Sequence, residues 1–325
     1  MLAYVMSHPG GPEVLELKEA PDPQPKKNWV LIRVKGFGLN RSELYTRQGH
    51  SGDAVTLPRI LGIECVGEVI DGGGTDLIPG QRVAAAMGFM GRKHDGGYAE
   101  MAVLPRSHVY PVNASLSWEE LAALPETYLT AWGVLHETIE IQRGQQVLIR
   151  GGSSSVGLAA ANISRDMGVH VFATTRSETK SARLRTAGVD EVILDSGPIA
   201  DETKNKSNGG VDGVVELVGL PETIMDCLQC CRTRGIVGMV GFLGDQWGYN
   251  FFPWMPSTVR LSLYSTETLE KDYASPVLQQ IVQKVESGAY KTNIDRIFSF
   301  EEVPEAHRIM ESNQAAGKLV VMTGK

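Results

Sequence analysis

The hydrophobic and polar positions of this chain follow two different rhythms. Over residues 1–122, short runs rich in β-branched and aromatic residues, at 29–34, 60–70, 81–86 and 98–103, are broken by Gly and Pro. Such punctuation predicts an irregular barrel rather than alternating strands and helices. From Leu124 onward the rhythm changes. Apolar strands are predicted at 145–150, 169–175, 189–195, 211–218, 235–241 and 260–266, with helices at 155–167, 178–186 and 221–231. Strands that are apolar throughout and separated by helices imply a parallel sheet covered on both faces, the doubly wound architecture that binds nucleotides. The last stretch reads as a helix over 276–287, a strand near 297–300, a helix over 303–313 and a strand over 318–322. Too short for a domain, this tail must pack on something earlier.

Length and charge add bounds to this picture. A chain of 325 residues is long for one core, so two domains are expected. The net charge of -7 offers no global basic field for nucleic acid or acidic lipid. The opening MLAYVMSHPGGPE lacks the pattern of a signal peptide, and no window reaches the apolar length of a membrane span; a cytoplasmic enzyme is the expectation. Of the four cysteines, Cys227, Cys230 and Cys231 cluster, but no second pair at a matching distance completes a metal knuckle. They read as small buried hydrophobes on a helix, reduced in a cytosolic chain.

The chemistry is concentrated in VLIRGGSSSVG, residues 147–157. A turn from the first strand of such a sheet into a helix needs unusual dihedrals at the strand end and small side chains where a diphosphate nears the backbone. Gly151 and Gly152 meet the first need; Ser153, Ser154 and Ser155 meet the second. Val156 and Gly157 open the helix, whose first amides and dipole favour negative charge. In the register GxGxxG, Ser154 replaces the central glycine. The second strand ends in Thr174-Thr175-Arg176-Ser177, with Lys180 beyond and no carboxylate at the strand end. A 2'-phosphate needs cations there, whereas ribose hydroxyls need Asp or Glu, so NADPH is the expected coenzyme; Glu178 opposes that reading.

Longer motifs carry a resemblance. Gly38-Leu-Asn40-Arg-Ser-Glu43 with Arg47 and Gly49, Leu61-Gly62-Ile-Glu64-Cys-Val-Gly67, Gly80-Gln-Arg-Val83, Gly96-Gly-Tyr98-Ala-Glu100, Leu124-Pro-Glu-Thr127-Tyr-Leu-Thr130-Ala-Trp132 and Gly317-Lys318-Leu-Val lie in order along the chain. Together they resemble the medium-chain dehydrogenase/reductases, specifically the zinc-independent quinone oxidoreductase branch, over essentially the whole length. The resemblance implies an α/β protein with a GroES-like irregular β-barrel catalytic domain at 1–123, a Rossmann doubly wound parallel sheet at 124–266, and a C-terminal return to the catalytic domain at 267–325. It places the active cleft between the two domains.

The same resemblance implies roles. Zinc members of the family carry a cysteine where this chain has Asn40 and a histidine where it has Ile63, so the three ligands of a catalytic metal are not assembled. Glu64 reads as structural. Hydride then passes directly to an electron-poor acceptor, with the protein aligning the partners and stabilising charge on oxygen. Asn40 is the implied hydrogen-bond donor near the nicotinamide, with Thr127 and Tyr128 beside its ribose. Gly241-Phe242-Leu243 pass over the nicotinamide, Val218-Gly219 line the adenosine ribose, and Lys318 approaches from the tail. The usual aromatic after Arg-x-Gly is replaced by His50, leaving Tyr45 as the nearer phenol and His50 as another proton source. The acceptor is a quinone or a similar small molecule. The rivals are an enone or enoyl thioester reductase, and a protein that binds NADPH with little turnover. The aromatic segment 247–255 is expected to cover a sheet edge in a homodimer.

Overall fold

The computed structural model describes residues 1–242, 255–269 and 271–324. The chain divides into two compact units: Met1–Leu129 with Thr266–Gly288 and Thr292–Lys325, and Thr130–Ser265 with Ala289–Lys291.

In the first unit, β1 (Leu2–Met6), β2 (Leu15–Glu19), β3 (Trp29–Gly38), β4 (Arg59–Ile60), β5 (Glu64–Asp71), β6 (Arg82–Ala86), β7 (Met101–Pro105) and β8 (Val109–Pro111) are joined by α1 (Arg41–Arg47), α2 (Trp118–Ala122) and α3 (Pro125–Gly133), the last of which runs on into the second unit. The expected run at 60–70 is two strands, because the chain turns at Gly62, where φ is +101°.

The second unit holds β9 (Gln146–Arg150), α4 (Ser155–Asp166), β10 (His170–Thr175), α5 (Ser181–Thr186), β11 (Glu191–Leu194), α6 (Ala200–Lys206), β12 (Val211–Glu216), α7 (Pro221–Cys230), β13 (Cys231–Met239) and β14 (Arg260–Leu263). Among the described residues its sheet has the order β11-β10-β9-β12-β13-β14, every pair parallel. Val147, Leu148 and Ile149 on β9 are fully buried, as a strand covered on both faces requires. Because β10 and β12 flank β9 on opposite sides, the strand order reverses there, and the crevice beyond its carboxyl end is where such sheets bind ligands. Cys231 opens β13 instead of ending α7, since its backbone pairs with Val211. All four cysteines are free and buried.

The tail comprises α8 (Lys271–Glu286), β15 (Ile294–Ser299), α9 (Val303–Glu311) and β16 (Lys318–Met322). Proline is a common helix opener, so Pro276 was the expected start of α8; instead it lies inside the helix, whose Gln279 side chain takes a hydrogen bond from the Asn113 backbone at 2.9 Å. β16 pairs antiparallel with β3, placing the tail in the barrel-like sheet of the first unit. The core beneath it includes Tyr4, Phe37, Tyr98 and Phe300, with Phe37 and Tyr98 stacked at 4.6 Å. No helix among the described residues is long and apolar enough to cross a membrane.

Candidate functional site

In the second unit the glycine-serine loop is held by its own atoms. Gly151 takes φ +83° at the end of β9 and gives its amide to the Thr174 hydroxyl at 3.0 Å. Gly152 gives its amide to the Thr174 carbonyl, also at 3.0 Å. A Cβ on Gly152 would stand 2.7 Å from the Cβ of Ala173, and one on Gly157 2.5 Å from the Gly152 carbonyl, so the loop closes onto strand and helix only without side chains. Ser154 caps α4: its Oγ accepts the Gly157 amide at 3.1 Å and donates to the Gly151 carbonyl at 2.8 Å. That hydroxyl is committed to the loop. The amides of Ser155 and Val156, in the first turn of a twelve-residue helix, have no intrahelical acceptor. Ser153, Ser155 and Val156 are half-buried.

The end of the second strand divides into brace and surface. Thr174 is buried, and beyond bracing Gly151 its hydroxyl donates to Asp195 at 3.3 Å, so its O–H is given inside the fold. Arg176 is exposed and makes no ion pair among the described residues, while Lys180 is half-buried and Glu178 exposed. Arg150, which the sequence reading passed over, is buried at the end of β9. It grips Asp195 through Nε and Nη2, each at 3.0 Å, and pairs with Asp226 as well. Asp195, which meets the Thr174 hydroxyl, is thereby neutralised.

Glu216 was also missed. It ends β12 with a fully buried carboxyl that accepts the Val218 amide at 3.1 Å, the Gly219 amide at 2.8 Å and the Thr223 hydroxyl at 3.0 Å. A Cβ on Gly219, at φ +75°, would lie 2.1 Å from the Gly241 carbonyl, so the turns after β12 and β13 touch backbone to backbone. Phe242 is exposed; Leu243 lies outside the described residues. A lone charge closing an apolar strand was the available signal for both Arg150 and Glu216.

Burial pushes Glu216 up to about 7. Because the folded value lies above the ordinary one, the stability conferred by the protonated carboxyl is fully present below about pH 4.5 and lost as pH rises through about 7. Urea midpoints of the wild type and Glu216→Gln should diverge across that window, by about one proton's linkage, on the order of 1 kcal/mol per pH unit. Parallel pH profiles of the two proteins would refute the assignment.

In the first unit, Asn40 precedes α1 and forms a compact polar cluster with the end of the tail. Lys318 Nζ donates to Asn40 Oδ1 at 2.7 Å and to Glu64 Oε1 at 2.6 Å; Asn40 Nδ2 donates to the same Glu64 oxygen at 2.8 Å. The Glu126 amide, in the first turn of α3, supplies Glu64 Oε2 at 2.9 Å. Lys318 and Glu64 are both fully buried. An ammonium on one side and a carboxylate on the other leave the Asn40 amide a single orientation. One of its two N–H groups is given to Glu64, and the other has no acceptor among the described residues. Glu64 is therefore part of the cluster, not a bystander. A Cβ on Gly38 would fall 2.2 Å from Lys318 Cε, so β3 must be bare there for the ammonium to enter.

A second buried carboxyl lies behind the first. Glu43 accepts the Asn40 amide at 2.7 Å, the Ile63 amide at 2.8 Å and the Tyr98 hydroxyl at 2.7 Å. Tyr98 in turn meets His307 Nε2 at 3.0 Å. Burial pushes Glu43 up to about 7, and burial followed by the nearby Arg47 pushes His307 down to about 3. Thr127 is buried with its hydroxyl unpartnered, and Tyr128 is fully buried. Tyr45 is half-buried, its ring 5.4 Å from that of His50.

Comparison with known proteins finds relatives over nearly the whole chain. The alcohol dehydrogenase GroES-like domain family matches residues 26–114, and the zinc-binding dehydrogenase family matches residues 187–321. The quinone oxidoreductase of Rattus norvegicus is 29% identical, over 96% of this chain and 95% of its own. The structure of a Pseudomonas syringae quinone oxidoreductase superposes with TM-score 0.90 at 25% identity, covering 99% of this chain and 100% of the other. A mycobacterial structure complexed with NADPH does so with TM-score 0.89 at 25% identity and the same coverage.

Proposed function

Because the chain belongs to the quinone oxidoreductase branch of the medium-chain dehydrogenase/reductase superfamily, we propose that it is an NADPH-dependent oxidoreductase that reduces quinones or similarly activated small molecules without zinc. The observation that carries the coenzyme reading is the end of β10: an exposed arginine with no ion-pair partner among the described residues, beside an Asp195 already neutralised by Arg150. A 2'-phosphate would meet a free guanidinium there and no free carboxylate at the strand end.

The residues present fit the coenzyme. The unaccepted amides of Ser155 and Val156 at the start of α4 would hold the diphosphate, with the helix dipole in favour. Arg176 and Lys180 would hold the 2'-phosphate. The orphaned Thr127 hydroxyl has a hydrogen bond still to give, which suits the nicotinamide ribose. When bound, NADPH supplies the hydride. The chain's own contribution is the remaining Asn40 N–H, oriented by Glu64 and Lys318, which would donate to the acceptor oxygen as negative charge grows on it. The zinc-free reading is supported by the donor set: Asn40 and Ile63 stand at the two ligand positions, and Glu64 is engaged by an ammonium. A homodimer is part of this proposal. Among the described residues β14 is the last strand of its sheet, with Leu263 exposed, although 247–254 of the expected covering segment lie outside them.

The test follows NADPH absorbance with a naphthoquinone as acceptor. Arg176→Ala should raise KM for NADPH about 10- to 100-fold and leave KM for NADH within about twofold, since only the phosphorylated form meets the guanidinium. Equal losses with both coenzymes, or no turnover by the wild type, would overturn the reading.

A further inference from the structure

We propose that Glu43 is the positioning residue of the Asn40 cluster: its one carboxylate fixes both partners of the Asn40–Glu64 hydrogen bond, and so aims the remaining Asn40 N–H. This rests on the functional reading of Asn40 given above. Oε2 takes the backbone amide of Asn40 itself, which sets where the Asn40 side chain leaves the chain before α1. Oε1 takes the backbone amide of Ile63, the residue immediately before Glu64 at the start of β5. Two segments that are distant in sequence are thus registered to each other through one group of two oxygens.

The group cannot drift. Glu43 is 1% exposed, and its third donor, Tyr98, is fully buried with its ring stacked 26° from parallel on Phe37 of β3, the strand that leads through Gly38 to Asn40. His307 meets Tyr98 from α9, so the hydroxyl that donates to Glu43 is itself held from the opposite side. Burial keeps His307 neutral, which lets Nε2–H donate to Tyr98 while Tyr98 donates to Glu43. Three donors converge on two oxygens, and the carboxyl group serves them because both of its oxygens accept. A glutamine offers one acceptor oxygen and turns an NH₂ toward a donor, so either the Asn40 or the Ile63 amide loses its partner.

A double-mutant cycle reads this directly. Glu43→Gln should lower kcat at least tenfold with KM for NADPH within twofold, and should change kcat less than twofold when Asn40 is already alanine. The same loss in both backgrounds would show a merely structural role and overturn the proposal. Should Glu43→Gln not fold, Tyr98→Phe removes one donor, and its loss of a few fold must likewise vanish in the Asn40→Ala background. A readout independent of turnover is the Asn40 side-chain amide resonance of the free protein, assigned by its absence in Asn40→Ala. It should move or double in Glu43→Gln and Tyr98→Phe; an unshifted resonance would overturn the positioning role. A wild type inactive with quinones would instead strike only the functional reading.

Discussion

Replacing Lys318 with methionine is expected to destabilise the protein by about 3–5 kcal/mol, the usual effect of removing one partner from a buried ion pair. The pair is fully buried at 2.6 Å, and its geometry leaves Glu64 with two amide donors but no counter-charge once the ammonium is gone. Methionine keeps most of the volume, so the loss should come from the stranded carboxylate rather than from a cavity. The double variant Lys318→Met, Glu64→Gln should therefore regain a large part of the stability lost by the single one, because a neutral amide can still accept from Asn40. Urea unfolding of the wild type and both variants decides it. A single variant within 1 kcal/mol of the wild type, or a double variant no better than the single, would mean that the pair does not carry this energy.

Asn40→Ala should lower kcat about 10²- to 10³-fold, the range found when one preorganised donor to a developing oxyanion is lost. The fold should survive, since Asn40 is half-buried and Glu64 keeps its lysine and its Glu126 amide. KM for NADPH should stay within a few fold, because none of the residues proposed to hold the coenzyme's phosphates is a hydrogen-bond partner of Asn40. A kcat within threefold of the wild type would remove Asn40 from the chemistry. Removing the donor outright is the cleaner choice, because Asn40→Asp would set a second carboxylate against Glu64.

How much of this was written in the sequence depends on the range of the interaction. The strand-glycine-helix passage at 146–166 and the alternation after it are local signals, and the parallel sheet follows from them. Asn40, Thr127, Arg176 and Lys318, the residues proposed to act, could be named because short motifs surround them. The hub carboxyls were not. Glu64 meets Lys318 across 254 positions, and Glu43 serves backbone amides on two separate segments, so neither contact leaves a periodic trace. Hydroxyls in such a loop can face either way, and the bonds that Ser154 and Thr174 make within the fold could not be read from the sequence. The start of β13 at Cys231 shows strand pairing overriding local propensity.

The bare position on β3 has a consequence for synthesis on the ribosome. Glu64 emerges 254 residues before the lysine that joins it, which belongs to β16. Until β16 has been made, the nascent barrel holds an acidic group with no cation to join it and an unfilled stretch along β3. Formation of the cluster thus waits on the last-made of its partners, and a fragment that stopped short of Lys318 would carry the uncompensated carboxylate as a defect.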